Sequence, residues 1–315
     1  MELRQLESFV HVAELGSFTR ASNFLSIAQP VLSRQVRALE VEFRQVLLER
    51  NGRGVTLTEA GRRFLEHGRS VLAQIERAQL DMEQGRGALT GRIVVALPPS
   101  VSLTLTTPLV RAFRDRFPKA TLCVLEGLSS YVLEWLTISR ADCAVVYTVP
   151  TSSAVELAPV LTEQLYLVSR RTDPAAANGD SGKGAIGLAE VAQRSLVMPS
   201  RPHSIRMLLE ATMAQASLKP RIAVEVESIQ AILALVRDEG VHAVLSLNAV
   251  HSSGHAQEFE VRPIRQPSLE TTLWVATSAQ RPQGPLLSQT LPLLKDLLLE
   301  HWTRGVEDSY PMSPA

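Results

Sequence analysis

Four residues near the start of the chain have the types and spacing to read a nucleic-acid surface. Pro30, Ser33, Arg34 and Arg37 stand at i, i+3, i+4 and i+7, which on a helix gathers them on one face. A short hydroxyl and a forked guanidinium near a helix N-terminus suit the major groove, where arginine meets guanine O6 and N7 with two parallel hydrogen bonds. Arg53 follows between Gly52 and Gly54, small neighbours that let the backbone come close to phosphates or a narrow minor groove. A charged stripe on a surface helix is commonly just solvated; the hairpin pattern that follows this one favours recognition. A second polar set suggests a site for a small polar, anionic molecule. Ser100 and Ser102 follow one apolar run, Ser129 follows the next and Thr148 ends a third; "MPSRPHS" then offers Ser200, Arg201 and His203, with Asn248 further on. Hydroxyls and free N–H groups where a strand opens into a helix favour an anion, although each residue singly also fits an ordinary cap or loop.

These side chains need a scaffold, and apolar periodicity supplies one. Leu3, Leu6, Phe9, Val10 and Ala13 predict a first helix that Gly16 stops near Leu15. Ser17 caps a short second helix burying Phe18, Ala21 and Leu25. Pro30 opens a third, whose packing face is Leu32, Val36, Leu39 and Phe43. Residues 47–50 and 55–57, split by Asn51-Gly52-Arg53-Gly54, predict two short strands around a tight turn. Residues 1–58 thus form a winged helix-turn-helix.

Thr58 caps a long helix from Glu59 to about Arg86. Within it Gly61, Phe64, Gly68, Val71, Ile75, Ala78 and Met82 recur every three or four residues. That heptad seam predicts pairing with the same helix of a second copy through Phe64, Val71, Ile75, Ala78 and Met82, the two glycines allowing close approach. Two heads related by a two-fold axis would read an inverted repeat. Residues 59–87 are then a linker and dimerisation helix, and 88–92 a hinge. From 93 to 305 strands and helices alternate, which predicts two α/β lobes around a cleft: lobe I at about 93–162 and 267–303, lobe II at about 163–266, before a tail at 306–315.

Composition bounds the rest. The 315 residues are enough for two or three domains, and 32 basic side chains balance 32 acidic ones. Eight of the arginines, however, fall between Arg20 and Arg63 with no lysine and four glutamates, a basic island that points to DNA. No apolar run approaches the roughly 20 residues a membrane helix needs, and the opening "MELRQLESF" is no secretory signal, so the expected location is cytoplasmic. "GDSGKG" at 179–184 lacks the spacing of a phosphate loop and the setting of a serine nucleophile. His251 and His255 are separated by Ser-Ser-Gly and joined by no further ligand motif, so neither metal nor cofactor is expected. An enzyme built on the lobes would need a nucleophile, an acid–base pair or a cofactor motif, and none is present. Cys123 and Cys143 sit in predicted strands, where a thiol usually acts as a small apolar residue; a redox-responsive regulator using them is the alternative within the same class.

The run from Leu3 to Gly61, through "GSFTRAS", "AQPVLSRQVRALE" and "LLERNGRGVTLTEAG", resembles the LysR-type transcriptional regulators, and "AQPVLS" with "LLERNGRG" is most similar to their nitrogen-assimilation-control subgroup. The resemblance implies that Gln29, Pro30, Ser33 and Arg34 face bases while Arg53 is the wing contact. It also implies a two-lobed effector domain similar to periplasmic binding proteins, for which "GRIVVALPPS", "LVRAFRDRFP" and the "RAD" at 140–142 are landmarks. The expected partners are double-stranded DNA at an inverted-repeat promoter site, a small-molecule effector, and further copies of the chain as a homodimer or a dimer of dimers. Two departures stand out: Arg44 where most members end the recognition helix with glycine, and Leu48 where most have phenylalanine, which puts the angle of the wing in question.

Overall fold

Apolar residues at helical spacing shape the first elements in the computed structural model, which describes residues 1–51, 54–83, 89–147, 153–171, 184–281 and 283–307, with side chains at all of these but 50, 51, 76, 77, 80–83 and 303–307. Two compact units emerge, residues 1–88 with 138–140, and residues 89–137 with 141–315. In the first, α1 (Leu3–Leu15) buries Leu6, Phe9, Val10 and Val12 and stops at Gly16, whose φ of 60° is left-handed. The Ser17 hydroxyl caps α2 (Phe18–Leu25), accepting the Arg20 N–H at 3.3 Å. α3 (Gln29–Phe43) starts one residue ahead of Pro30, which still falls in the first turn where its missing N–H costs nothing. Leu32, Val36 and Leu39 are buried, but Phe43 is not the core residue its spacing predicts: it is 42% exposed, its ring 4.9 Å from that of Phe64.

Arg44 ends α3 in the left-handed region at φ 51°, the conformation glycine adopts freely. A turn suited to glycine is therefore made by arginine, at a backbone cost. Arg44→Gly is expected to stabilise the head by about 0.5–1 kcal/mol, relief of the left-handed strain being offset in part by the looser unfolded chain. A denaturation midpoint that stays put or falls would show that the arginine side chain makes good the strain. The Glu40 carboxylate then ties the following turn, accepting the N–H groups of Leu47 at 2.9 Å and Leu48 at 3.2 Å. β1 (Leu48–Asn51) and β2 (Gly54–Leu57) form the antiparallel hairpin, and Thr58 caps α4 (Glu59–Glu83) by accepting the Gly61 N–H at 2.9 Å.

The second unit begins with β3 (Gly91–Leu97), α5 (Pro99–Arg116), β4 (Ala120–Glu126), α6 (Ser129–Thr137) and β5 (Cys143–Val146); the three strands are parallel in the order β4-β3-β5. β6 (Val155–Arg170) follows as one continuous 16-residue strand. Sequence periodicity predicts only its second half, because Pro159 breaks the strand signature. The register of β6 slips at that point, Leu161 pairing with Leu273 and Pro159 with Trp274, so a bulge absorbs the residue between and with it the proline.

Beyond it come β7 (Ile186–Gly187), α7 (Leu188–Gln193), β8 (Ser195–Met198), α8 (Ser204–Gln215), β9 (Arg221–Glu225), α9 (Ile229–Glu239), β10 (Ala243–Ser246), α10 (Leu247–His251), β11 (Phe259–Arg265), β12 (Glu270–Ser278) and α11 (Pro285–Glu307). β7, α7 and α10 are too short to leave a periodic signature. β12 lies between β5 and the first half of β6, while β10 and β11 pair with the second half. One lobe packs Leu97, Leu105, Leu109, Val145, Leu273 and Leu298; the other packs Leu167, Leu196, Leu209, Val244 and Ile264 on one face of its sheet and Val168, Ile232, Val236 and Phe259 on the other.

Candidate DNA interface and interlobe cavity

Burial of one face of α3 leaves the opposite face outward. Gln29, Pro30, Arg34 and Arg37 are exposed and Ser33 is half-buried, lining a recess of about 180 Å³ with Arg37 and Glu40. Arg34 donates a long bond to the Pro30 carbonyl at 3.4 Å, and among the described residues neither Arg34 nor Arg37 has an acidic partner. The hairpin is fixed to the helices: the Val55 N–H donates to the Gly16 carbonyl at 3.0 Å, and a Cβ on Gly54 would come within 2.6 Å of that same oxygen. Only glycine fits there. Arg53 lies outside the described residues, so the wing contact stays an expectation.

The heptad seam divides in two. A Cβ on Gly61 would stand 2.0 Å from the Leu47 carbonyl oxygen, and one on Gly68 would meet Val10 and Leu6 at 3.0 and 3.1 Å. Phe64 lies edge-on to Phe9, ring centroids 5.1 Å apart. Gly61, Phe64 and Gly68 therefore pack α4 onto its own head, a correction to the expectation that they face a second copy. Further along, Val71 is 40% exposed, Ala78 exposed and Ile75 half-buried. The side chain of Met82 is outside the described set.

Between the lobes lies a cavity of about 580 Å³ lined from one side by Pro99, Leu103, Glu126 and Tyr131 and from the other by Glu227, Ser228, Ile229 and Gln230. That volume is in the range of small-molecule sites. A recess of about 20 Å³ shares Pro99, Glu227 and Ile229 with it and adds Ser100, His203 and Ser246. The candidates from the sequence meet this site unevenly. Ser100 shares a hydrogen bond with the Tyr147 hydroxyl at 2.9 Å, and Ser129 accepts the Tyr147 N–H at 3.1 Å. Ser200 gives its N–H to Glu227 at 3.1 Å. His203 caps α8, its Nδ1 accepting the Ile205 N–H at 3.3 Å; burial lowers its pKa and favours the neutral ring.

Two candidates go elsewhere. Ser102 bonds to Thr106 along α5, and the exposed Arg201 is turned to Glu210 at 2.8 Å, so the arginine expected to receive an anion is absent from the described lining. Thr148 is outside the described residues. Asn248 is buried beside a group that pattern reasoning missed, Glu163, whose pKa its amide helps to lower against the effect of burial. A lone glutamate in an apolar strand carries no motif, which is why it escaped notice.

Cys123 and Cys143 sit on β4 and β5, one on each side of β3, opposite Val94 and Val95. Two strand spacings, about 9.5 Å, separate such positions, beyond the roughly 7 Å that a disulfide spans. Burial also pushes the Cys143 thiol far up from its ordinary pKa, with Asp142 adding to the shift, and an un-ionised thiol is a poor redox centre. Among the described residues no group of three or more His, Cys, Asp or Glu could hold a metal, and no helix is long and apolar enough to cross a membrane.

A helix-turn-helix with an outward basic face and a fixed hairpin, together with a two-lobed α/β unit enclosing a cavity, defines a DNA-binding regulator with an effector domain. The chain belongs to the LysR family of bacterial regulators. Residues 3–62 match the family described as bacterial regulatory helix-turn-helix protein, lysR family, and residues 86–299 match the LysR substrate binding domain. It is 32% identical over 300 residues to the nitrogen assimilation regulatory protein nac of Escherichia coli, spanning 95% of this chain and 94% of that one. The hydrogen peroxide-inducible genes activator of Haemophilus influenzae is 33% identical over 175 residues, 55% of this chain and 58% of its own. Among solved structures, full-length CbnR complexed with its target DNA superimposes with a TM-score of 0.69 at 26% identity, over 94% of this chain and all of that one. These relatives are regulators, not enzymes.

Proposed function

We propose that two copies of the chain read an inverted-repeat promoter site and that a small molecule between the lobes controls how they do so. The observation that carries this reading is the outward face of α3, where Arg34 and Arg37 stand exposed with no acidic partner among the described residues, above a buried row of Leu32, Val36 and Leu39. Gln29, Pro30, Ser33 and Arg34 face bases, Arg37 adds charge beside them, and Arg53 reaches the backbone from the wing. Residues 1–58 are the reading head, 59–87 the linker and dimerisation helix with Val71, Ile75 and Ala78 towards the second copy, and 93–305 the effector domain beyond a hinge at 88–92. The exposed Val71 supports that pairing, since an apolar heptad row gains by covering itself. A regulator of promoters works in the cytoplasm, where bacterial DNA is.

Differential affinity of the effector for two lobe arrangements is what would change the spacing of paired heads. The redox alternative is disfavoured by the strand separation of the two cysteines. Arg34→Ala is expected to lose about 1–3 kcal/mol of base discrimination, whereas Arg53→Ala weakens binding evenly across sequences and lowers the salt slope by about one. Both are checked by titrating operator and scrambled duplexes at several salt concentrations. Wild-type affinity and slope in both variants would place the reading surface elsewhere.

A further inference from the structure

Glu163 is a carboxylate buried where the chain passes between lobes. It pairs with Thr271 of β12, while Leu165, two residues on, already pairs with Ser246 of β10. It is 8% exposed. The Trp302 indole N–H donates to Oε2 at 2.6 Å, and Oε1 is the one buried side-chain nitrogen or oxygen among the described residues that completes no hydrogen bond. Around it stand Tyr147 at the end of β5, Trp302 of α11, Ser246 of β10 and Asn248 of α10. Burial raises the carboxyl pKa to about 7, although polar contact with those four groups works the other way. The only titratable side chain among the four is Tyr147, whose phenol burial keeps protonated. Among the described residues, no cation is one of the groups that shift this acid.

This acid adjoins the interlobe site. Ser246, one of its polar neighbours, lines the small recess together with Ser100, whose hydroxyl is 2.9 Å from that of Tyr147. At about 20 Å³ the recess has room for one water-sized group. It shares Glu227 with the larger cavity, where Glu126 is the other charged lining residue. With His203 favoured neutral and Arg201 turned to Glu210, the described lining holds two carboxylates, a third buried close by, and no cation.

We propose that the interlobe site takes a primary amine as effector, its ammonium group seated in the recess beside Ser100 and Ser246 next to Glu163, with Glu126 and Glu227 drawing it in. The proposal rests on reading the two lobes as an effector-binding domain. An ammonium brings three N–H donors and a positive charge to a site of hydroxyls and carboxylates, whereas an anion would be repelled by every charged group there. An amine binds the ionised form of Glu163 and so displaces a proton. Affinity therefore rises as pH climbs through about 7 and levels off until the amine itself deprotonates near pH 10.

The test uses the full chain at constant ionic strength, titrated with ammonium, methylamine and 1,4-diaminobutane against methanol, 1,4-butanediol, acetate and succinate, with binding followed by calorimetry and by Trp fluorescence. The amines are expected to bind, the diols and carboxylates not, with affinity rising about tenfold between pH 6 and pH 8 as Glu163 ionises. Glu163→Gln should remove that pH dependence and weaken amine binding at least tenfold; Ser246→Ala, which leaves the carboxyl in place, should weaken binding while keeping a pH dependence, its midpoint moved upward because the hydroxyl works to lower the Glu163 pKa. Binding of carboxylates in preference to amines, binding of none of the probes, or a flat pH profile in the wild-type protein would overturn the proposal. Operator binding by the same wild-type sample separates the two readings: its loss counts against the regulator, and its presence without amine binding counts against the amine site alone.

Discussion

Gly61→Ala is expected to destabilise the head by about 3 kcal/mol, the upper end of what an overpacked site costs. The new methyl would stand 2.0 Å from the Leu47 carbonyl oxygen, a main-chain atom that no rotamer change can move aside. That carbonyl is already engaged, accepting the Thr58 N–H at 3.1 Å and the Thr58 hydroxyl at 3.2 Å. Relief must come from lifting the first turn of α4 off the strand that leads into the wing. Leu65, Phe64 and Leu72, which pack on the head from α4, would be displaced with it. For a unit of this size the loss corresponds to a melting temperature lower by roughly 12–24 °C. Calorimetry of the full chain would read it as a fall in the head's transition with the other unit's unchanged, and operator affinity would fall in parallel. An unshifted head transition would mean that the junction is looser than the contact distance implies.

Arg206→Ala should be nearly as damaging in the other unit. Arg206 is 7% exposed, and its guanidinium bonds Glu210 at 3.0 Å, Glu225 at 2.7 Å and the Pro199 carbonyl at 3.0 Å, so it joins α8 to β9 and to the end of β8. Removing it strips a largely buried Glu210 of one of its two arginines. Arg201 remains and Glu225 is half exposed, which keeps the cost near 2 kcal/mol, below that of orphaning a fully buried charge. Burial works to raise the Glu210 pKa, but the hydrogen bonds from Arg206 and Arg201 overcome it and hold the pKa below 4.5. A carboxyl depressed on folding contributes its stability above the unfolded value and loses it as pH falls through the folded one. The deficit of Arg206→Ala is therefore complete at neutral pH and shrinks below about pH 4.5, which urea titrations at pH 7 and pH 4 would register. A deficit that grows on acidification would contradict this account. Glu210→Ala in the same background should add little, because the two side chains act as a pair.

Much of the head can be read from its residues because each local signal agrees with the tertiary packing. Gly16 is a left-handed stop, Ser17 and Thr58 cap as their positions predict, and the apolar row of α3 is the buried one. Phe43 and the seam residue Phe64 mislead for a shared reason. Periodicity reports which residues share a face but not what covers it, and here the two rings cover each other and Phe9 within one chain. In the lobes the alternation of strands and helices is legible, whereas the first half of β6 is hidden by a proline that only the bulge beside it makes tolerable. The effector candidates follow the ends of strands, a pattern that finds Ser100, Ser129 and Asn248 close to Tyr147 and Glu163 but carries no sign that Arg201 is paired with Glu210. Glu163 itself is unreadable from pattern, since what sets it apart is the company it keeps.

The unbroken course of β6 through both lobes limits how the gene can vary. Side chains of a strand alternate between its faces, so one codon gained or lost near the changeover would keep the first lobe in phase and turn every later side chain of the strand to the wrong face. Leu165, Leu167 and Val168 would exchange their packed positions for others, and the second lobe would lose both of its cores at once. Length changes among descendants of this chain should gather in the connections around that strand, leaving its residue count fixed.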